Sequence, residues 1–395
     1  MAAGRAGERP RLWTAAYVRL DLVSFAFFTG FYLYTSTFQF FVLDRGADVA
    51  DLGLVLAVLT LTAVGVRPLI GPLLDAAGRR PVLLTGLAAM AAASLLYLVS
   101  GPLWQVVLIR MLQGVGWSMS TTAASTFIAD VVPPSRQGEA MGFYSNFTDL
   151  AMAVGPFLGV YLSRGDRFAP LFWAGGAWPL AALLLAAGLR ERRRPGGGRW
   201  RIRFRLEPRA LWPAGVLFAV TFAYAAVLGY LPPFLRGRGL GPGYADFYVA
   251  YAAVLLLTRG LWGRLYDARG RAWALVPGLV LVAGSMLWLP AVHRLPGLLL
   301  FAVLFGLGFG AAQPATLAWT VERVPSAVRG QAIGTYYTAF DGGMAVAYAG
   351  IGAVIAHSSY PVGFTLTSAV VGLALAAFLA AGRRAPDGSA KEEDR

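Results

Sequence analysis

The sequence predicts an all-α membrane protein of twelve transmembrane helices, arranged as two six-helix halves. Three observations lead there: a composition too apolar for a soluble chain, twelve apolar segments of spanning length, and an internal repeat at a fixed offset. Of 395 residues, 57% are hydrophobic and 14% charged, against about 25% charged in an average soluble domain. Mean hydropathy is +0.60. So few charges could not coat two or three soluble domains, which excludes an ordinary soluble enzyme and a disordered basic tail protein. There is no cysteine, so disulfides, thiolate metal sites and cysteine nucleophiles are excluded. The net charge of +14 has to be located before it is read as a nucleic-acid footprint.

A membrane helix needs roughly 20 mostly apolar residues. Such segments run at about 17–43, 51–74, 81–100, 103–130, 140–163 and 168–189, and again at about 211–235, 244–266, 273–292, 296–321, 330–356 and 360–382. The first is too long for a signal-peptide core and no small-residue cleavage site follows it, so it counts as a span. The basic residues then sort by side. Twenty-five of the 34 fall in the N-terminal tail, the 2–3 and 8–9 loops, the 190–209 segment, the C-terminal tail and at Arg136, Arg323 and Arg329. Six face the other side, and Arg67, Arg110 and Arg259 fall within spans. The positive-inside rule places both termini and the middle loop in the cytoplasm of a bacterial-type inner membrane. The basic excess is thus a topology signal, and no nucleic-acid partner is expected. The linker, 191–209, divides an N-terminal bundle (1–190) from a C-terminal bundle (210–395) with a short polar tail. It reads as a basic tether on lipid headgroups, or else as a docking segment.

The two halves match at an offset of 192 residues. Arg67, Gly71, Asp75, Gly78 and Arg79 pair with Arg259, Gly263, Asp267, Gly270 and Arg271. Gly114 and Gly116 pair with Gly306 and Gly308. Gly138, Gly142, Tyr144, Asp149 and Met152 pair with Gly330, Gly334, Tyr336, Asp341 and Met344. A dozen matches in register mark a duplicated six-helix unit, an architecture that favours transport.

The loop GPLLDAAGRRPVLL (71–84) resembles the signature loop of the major facilitator superfamily, through Gly71, Leu74, Asp75, Gly78, Arg79 and Arg80. The second half repeats it as GRLYDARGR (263–271), with Ala272 in place of the second basic residue. Glycines there allow a tight turn and close helix approach; Asp75 is expected near a helix N-terminus, and Arg79 or Arg80 near anionic lipid. The resemblance implies that Gly71, Asp75, Gly78, Arg79 and Arg80, with Gly263, Asp267, Gly270 and Arg271, gate the conformational cycle. RMLQGVGWS (110–118) resembles an element of proton-linked members, carried by Arg110, Gln113, Gly114 and Gly116. GFYSNFTDLAMAVGPFLGV (142–160) resembles the antiporter motif of twelve-helix drug exporters at Gly142, Gly155, Pro156 and Gly159, with Ala151 and Val160 replacing two glycines.

Ionisable groups inside a bilayer cost about 2.5–3.5 kcal/mol on insertion scales, so each is a functional hypothesis. Asp149 and Asp341 lie near half depth as symmetry mates, Asp21 lies near the cytoplasmic end, and Arg110 must find a partner or a wet cavity. Asp149, Asp341 and Asp21 are the candidate proton carriers, with Arg110 tuning them or binding an anionic group. Span 1 carries a polar stripe at helical spacing: Asp21, Ser24, Phe28, Tyr32, Thr35 and Gln39. With Gln113 and Trp117 on span 4, Tyr224 on span 7, Gln313 on span 10 and Tyr337 on span 11, these give the candidate substrate cavity. The family resemblance places spans 1, 4, 7 and 10 around such a cavity. Glycine-rich 306–310 lies mid-span with no lysine after it, and His293 and His357 are isolated, so no nucleotide, cofactor or metal site is expected. The expectation is a monomeric secondary transporter, not an enzyme, exporting a small amphipathic compound or drug against proton entry. A sugar or organic-acid importer or facilitator and a lipid flippase are the alternatives.

Overall fold

The computed structural model describes residues 12–133, 136–163, 167–191, 206–241, 243–325 and 328–382. Arg5, Arg9, Arg11, Arg164, most of the linker and the tail beyond 382 lie outside them. Thirteen α-helices occur among the described residues: α1 (Ala15–Tyr32), α2 (Phe38–Leu43), α3 (Val49–Ala77), α4 (Arg79–Leu96), α5 (Leu103–Val131), α6 (Gln137–Leu162) and α7 (Ala169–Ala187), then α8 (Leu211–Gly237), α9 (Gly243–Arg269), α10 (Arg271–Trp288), α11 (Leu295–Glu322), α12 (Arg329–His357) and α13 (Tyr360–Gly382). They make twelve spans, because the first is broken.

That break corrects the continuous stripe expected along span 1. The chain leaves the helix at Leu33 and resumes at Phe38. The cause is local chemistry: hydroxyl side chains compete with the helix for backbone groups, and three fall together at Thr35, Ser36 and Thr37. Thr35 Oγ1 donates to the Tyr32 carbonyl at 2.7 Å and Gln39 Nε2 to the Thr35 carbonyl at 2.8 Å. Thr35 and Gln39 are therefore out of helical register with Asp21 and Ser24.

Eight helices are long and apolar enough to cross a membrane by length and composition alone. The four span-length helices below that mark are α1, α5, α6 and α9, which carry Asp21, Arg110, Asp149 and Arg259. Exposed tryptophans stand at or near helix ends, Trp13, Trp104, Trp173, Trp212 and Trp273, as interfacial residues do.

Contacts group the chain into two compact units. The first comprises Met1–Arg45 and Leu61–Phe204, the second Gly46–Thr60 and Arg205–Arg395. In the first, α1 packs on α6 and α7, and α4 on α5 and α7. The second repeats these pairings, α8 on α12 and α13, and α10 on α11 and α13. The duplication reaches the backbone. A Cβ on Gly116 would stand 2.9 Å from the Gly86 carbonyl oxygen, and one on Gly308 2.8 Å from that of Gly278, so the same glycine pair sets the close crossing in both halves. Gly78 (φ 94°, ψ 163°) and Gly270 (φ 85°, ψ 170°) open α4 and α10 in a conformation essentially restricted to glycine.

Candidate functional site

In the first unit Asp21 and Arg110 are buried with no ion pair among the described residues. Asp21, on the inward face of α1, is 1% exposed. Neither of its carboxylate oxygens receives a hydrogen bond from the described residues. The Tyr17 hydroxyl, one turn earlier, lies beside the carboxylate and donates to the Ala140 carbonyl at 2.9 Å. Arg110, on α5, is 5% exposed. Its Nη1 donates to Gln113 Oε1 at 3.1 Å, the oxygen that also accepts the Tyr97 hydroxyl at 2.8 Å. Its guanidinium carbon lies 3.7 Å from the centre of the Phe38 ring. Arg110 Nε and Gln113 Nε2 are buried with no acceptor among the described residues. Tyr34, Phe38 and Tyr97 close round the group, their ring centres 5.2–6.1 Å apart. Arg110 is thus held by an aromatic face and one amide oxygen.

Beside this cluster the broken span rests on the antiporter-like motif. A Cβ on Gly155 would fall 2.6 Å from Tyr32 Cβ, and one on Gly159 2.2 Å from the Leu33 carbonyl oxygen. Ser36 Oγ donates to the Pro156 carbonyl at 3.0 Å. Gly142 lies further along α6. Trp117 packs against Phe31 (4.2 Å), Phe27 and Phe28 (both 5.6 Å), and Tyr32 stacks on Phe28 at 6.2 Å. Asp149 is 7% exposed on α6.

In the second unit Gln313 joins three elements. Its Nε2 donates to the Tyr336 hydroxyl at 3.0 Å, that hydroxyl donates to the Gln313 carbonyl at 3.2 Å, and Arg259 Nη2 reaches Gln313 Oε1 at 3.4 Å. Tyr337 lies edge-on to Tyr336 at 5.3 Å and Tyr224 stacks on Phe309 at 4.7 Å. Asp341 is 1% exposed on α12. An open cavity of about 530 Å³ lies instead at the far end of this unit, lined by Asp48, Phe234, Arg238 and Tyr360 among others. None of the residues expected to line a substrate cavity faces it.

The signature loop differs from expectation in its partners. Asp75 sits in the last turn of α3 with its side chain 71% exposed, 3.5 Å from Arg79 Nη1. The carboxylate at the start of α4 is Glu191, which accepts the backbone N–H groups of Arg79 (2.7 Å) and Arg80 (3.0 Å), as a helix N-terminus favours. Arg79 Nε pairs with Asp130 at 2.9 Å. Arg80 Nη2 donates to the Ala187 carbonyl at 2.6 Å, at the end of α7. A methyl on Gly71 or Gly263 would meet nothing within 4 Å among the described residues, so neither marks a close helix approach. Sequence reading missed Glu191, Asp130, Phe38, Tyr97 and Tyr336. Only Tyr336 carried a signal, its repeat mate Tyr144.

Comparison with known proteins agrees with this architecture. The family model described as "Major Facilitator Superfamily" matches residues 20–258 and 246–395. An uncharacterized MFS-type transporter, MJ1560, of Methanocaldococcus jannaschii is 21% identical over 76% of this chain and 80% of its own length. The class G tetracycline resistance protein of Vibrio anguillarum is 28% identical over 62% of this chain and 71% of its own. The quinolone resistance protein NorA of Staphylococcus aureus is 24% identical, over 40% of this chain and 41% of its own. Among solved structures, a bacterial homologue of the human lysosomal transporter Spinster, inward-facing and occupied, superposes with a TM-score of 0.76 at 16% identity, over 95% of this chain and 98% of that one. The nucleoside transporter NupG gives 0.73 at 14% identity, over 93% and 99%.

Proposed function

The chain belongs to the major facilitator superfamily, whose members are transporters and not enzymes, and on that premise we propose that it exports a small amphipathic compound in exchange for protons. The observation that carries the reading is Asp21. A carboxylate ionised in such burial, with only the neighbouring Tyr17 hydroxyl beside it, costs several kcal/mol, a cost that proton binding removes. A proton taken up at Asp21 in one conformation and released in another therefore biases the equilibrium between them, since a ligand shifts an equilibrium by its differential affinity for the two states. Arg110 stands in the same unit as a permanent positive charge. Asp149 and Asp341, buried symmetry mates, would carry protons or be fixed in hydrogen bonds.

Two of the similar proteins are named for drug resistance, tetracycline and quinolone, which supports outward transport of a compact, partly aromatic molecule. The rings around Trp117 suit such a molecule. By this reading the energy source is the proton gradient, no cofactor takes part, the working unit is a monomer, and both termini lie on the cytoplasmic side of an inner membrane.

The test is a substrate screen in proteoliposomes with an imposed pH gradient, following substrate and proton flux together. Wild-type protein should move substrate against proton entry. Asp21→Asn should cut gradient-driven flux tenfold or more while substrate exchange without a gradient persists. Undiminished gradient-driven flux in Asp21→Asn and in the Asp149→Asn/Asp341→Asn double variant would falsify the coupling scheme.

A further inference from the structure

We propose that the terminus-side end of the second repeat, around Arg269, Arg271 and Arg323, binds the headgroup of an anionic phospholipid. The inference holds whatever substrate the protein carries.

It rests on an asymmetry between two copies of one loop. In the first copy the charged groups of the loop find partners inside the chain, Arg80 through a backbone carbonyl rather than a carboxylate. Arg79 lies on Asp130 and Asp75, Glu191 takes the N–H groups at the start of α4, and Arg80 donates to Ala187. At the offset of 192 residues Gly270 keeps the conformation of Gly78, so α10 begins as α4 does, but the surroundings are rewritten. Glu322 stands for Asp130, and it is taken by the hydroxyl of Tyr266 at 2.8 Å, where the first half has Leu74. Arg383 stands for Glu191, Trp319 for Phe127 and Trp273 for Pro81. Two arginines are added, Arg269 for Ala77 and Arg323 for Val131.

The arginines lie on indoles. Arg271 and Arg323 flank Trp319, their guanidinium carbons 5.4 and 5.9 Å from its ring centre, and Arg269 lies 5.0 Å over Trp273. All three are exposed, and none forms an ion pair among the described residues. Trp319 is 1% exposed and its Nε1–H has no acceptor there. No described carboxylate takes the place of Glu191 beside Gly270. Segments 264–271 and 322–329 carry five arginines, Arg264, Arg269, Arg271, Arg323 and Arg329, against two carboxylates, Asp267 and Glu322, and the latter is already bonded.

Guanidinium forks and the first turn of an 18-residue helix are donors suited to phosphate oxygens. The exposed faces of Trp273 and Trp212 mark this as headgroup depth, so the phosphate arrives with acyl chains. The arginine excess assigns this side to the cytoplasm, where the leaflet is anionic.

The full-length protein in detergent is titrated with phosphatidylglycerol, phosphatidylcholine and inorganic phosphate, bound lipid being counted by native mass spectrometry and Tm followed in parallel. Wild-type protein should retain phosphatidylglycerol over phosphatidylcholine, and Arg269→Gln/Arg271→Gln/Arg323→Gln should bind it about tenfold more weakly or worse. Arg5→Gln/Arg9→Gln/Arg11→Gln removes as much charge elsewhere and should bind as wild type. Unchanged retention in the first variant, or equal loss in the second, overturns the site. So does inorganic phosphate alone raising Tm as the lipid does, which makes it a free-anion site. Binding that begins only after residues 386–395 are removed makes the acidic tail the occupant and overturns it as well.

Discussion

Arg110 shows how a buried charge can be kept without a counter-ion among the described residues. An exposed cation–π contact contributes about 0.5–1 kcal/mol and a desolvated one about 2 or more; with one amide oxygen that covers part of the desolvation of a guanidinium and leaves the rest as stored cost. Replacing it should therefore separate stability from activity. Arg110→Met keeps the volume on Phe38 and leaves Gln113 bonded to Tyr97. Its expected stability equals wild type or exceeds it by about 1–2 kcal/mol, with gradient-driven transport lost. Thermal melting of the purified variant beside a proteoliposome flux assay checks both, and a clear fall in Tm would show a structural role. That Arg110 matters was legible from its place in an apolar run. How it is held was not, because Phe38 and Tyr97 look like any other aromatic residue of a span.

The broken first span and its seat on α6 form one element. The backbone of α6 reaches the break only because Gly155 and Gly159 have no side chain to fill the gap, and Ser36 adds a hydrogen bond to the Pro156 carbonyl. Gly159→Val should push Leu33 off its seat and cost about 1–3 kcal/mol, the usual penalty for overfilling a packed contact. Gly284→Ala, where a methyl meets nothing within 4 Å among the described residues, should be neutral or slightly stabilising. Melting temperatures in one detergent compare the pair, and equal effects would mean that α6 does not seat the break. The motif glycines were readable as close-packing positions from sequence. Their partner was hidden, since residues 33–37 look apolar enough to continue a helix, and only three adjacent hydroxyls mark where it fails.

At the scale of the molecule the duplication explains what could be read early. Hydropathy and the constant offset gave the twelve spans to within a few residues and paired the loops at Gly78 and Gly270. The same offset could not show that the copies have diverged in their contacts. Glu191 closes on residues more than a hundred positions earlier, a distance no local pattern records, and the residue at the matching position of the repeat is Arg383, of opposite sign.

One helix has a consequence for how the protein is made. Residues 46–60 open α3 yet pack in the unit otherwise formed by residues 205–395. During synthesis that fifteen-residue stretch leaves the ribosome well before the part of the chain it settles into. A fragment ending at the linker should therefore be short-lived on its own and be rescued when residues 205–395 are supplied as a separate chain. Pulse-chase labelling of the two pieces, alone and together, measures this, and a first piece equally long-lived without its complement would show that it matures independently.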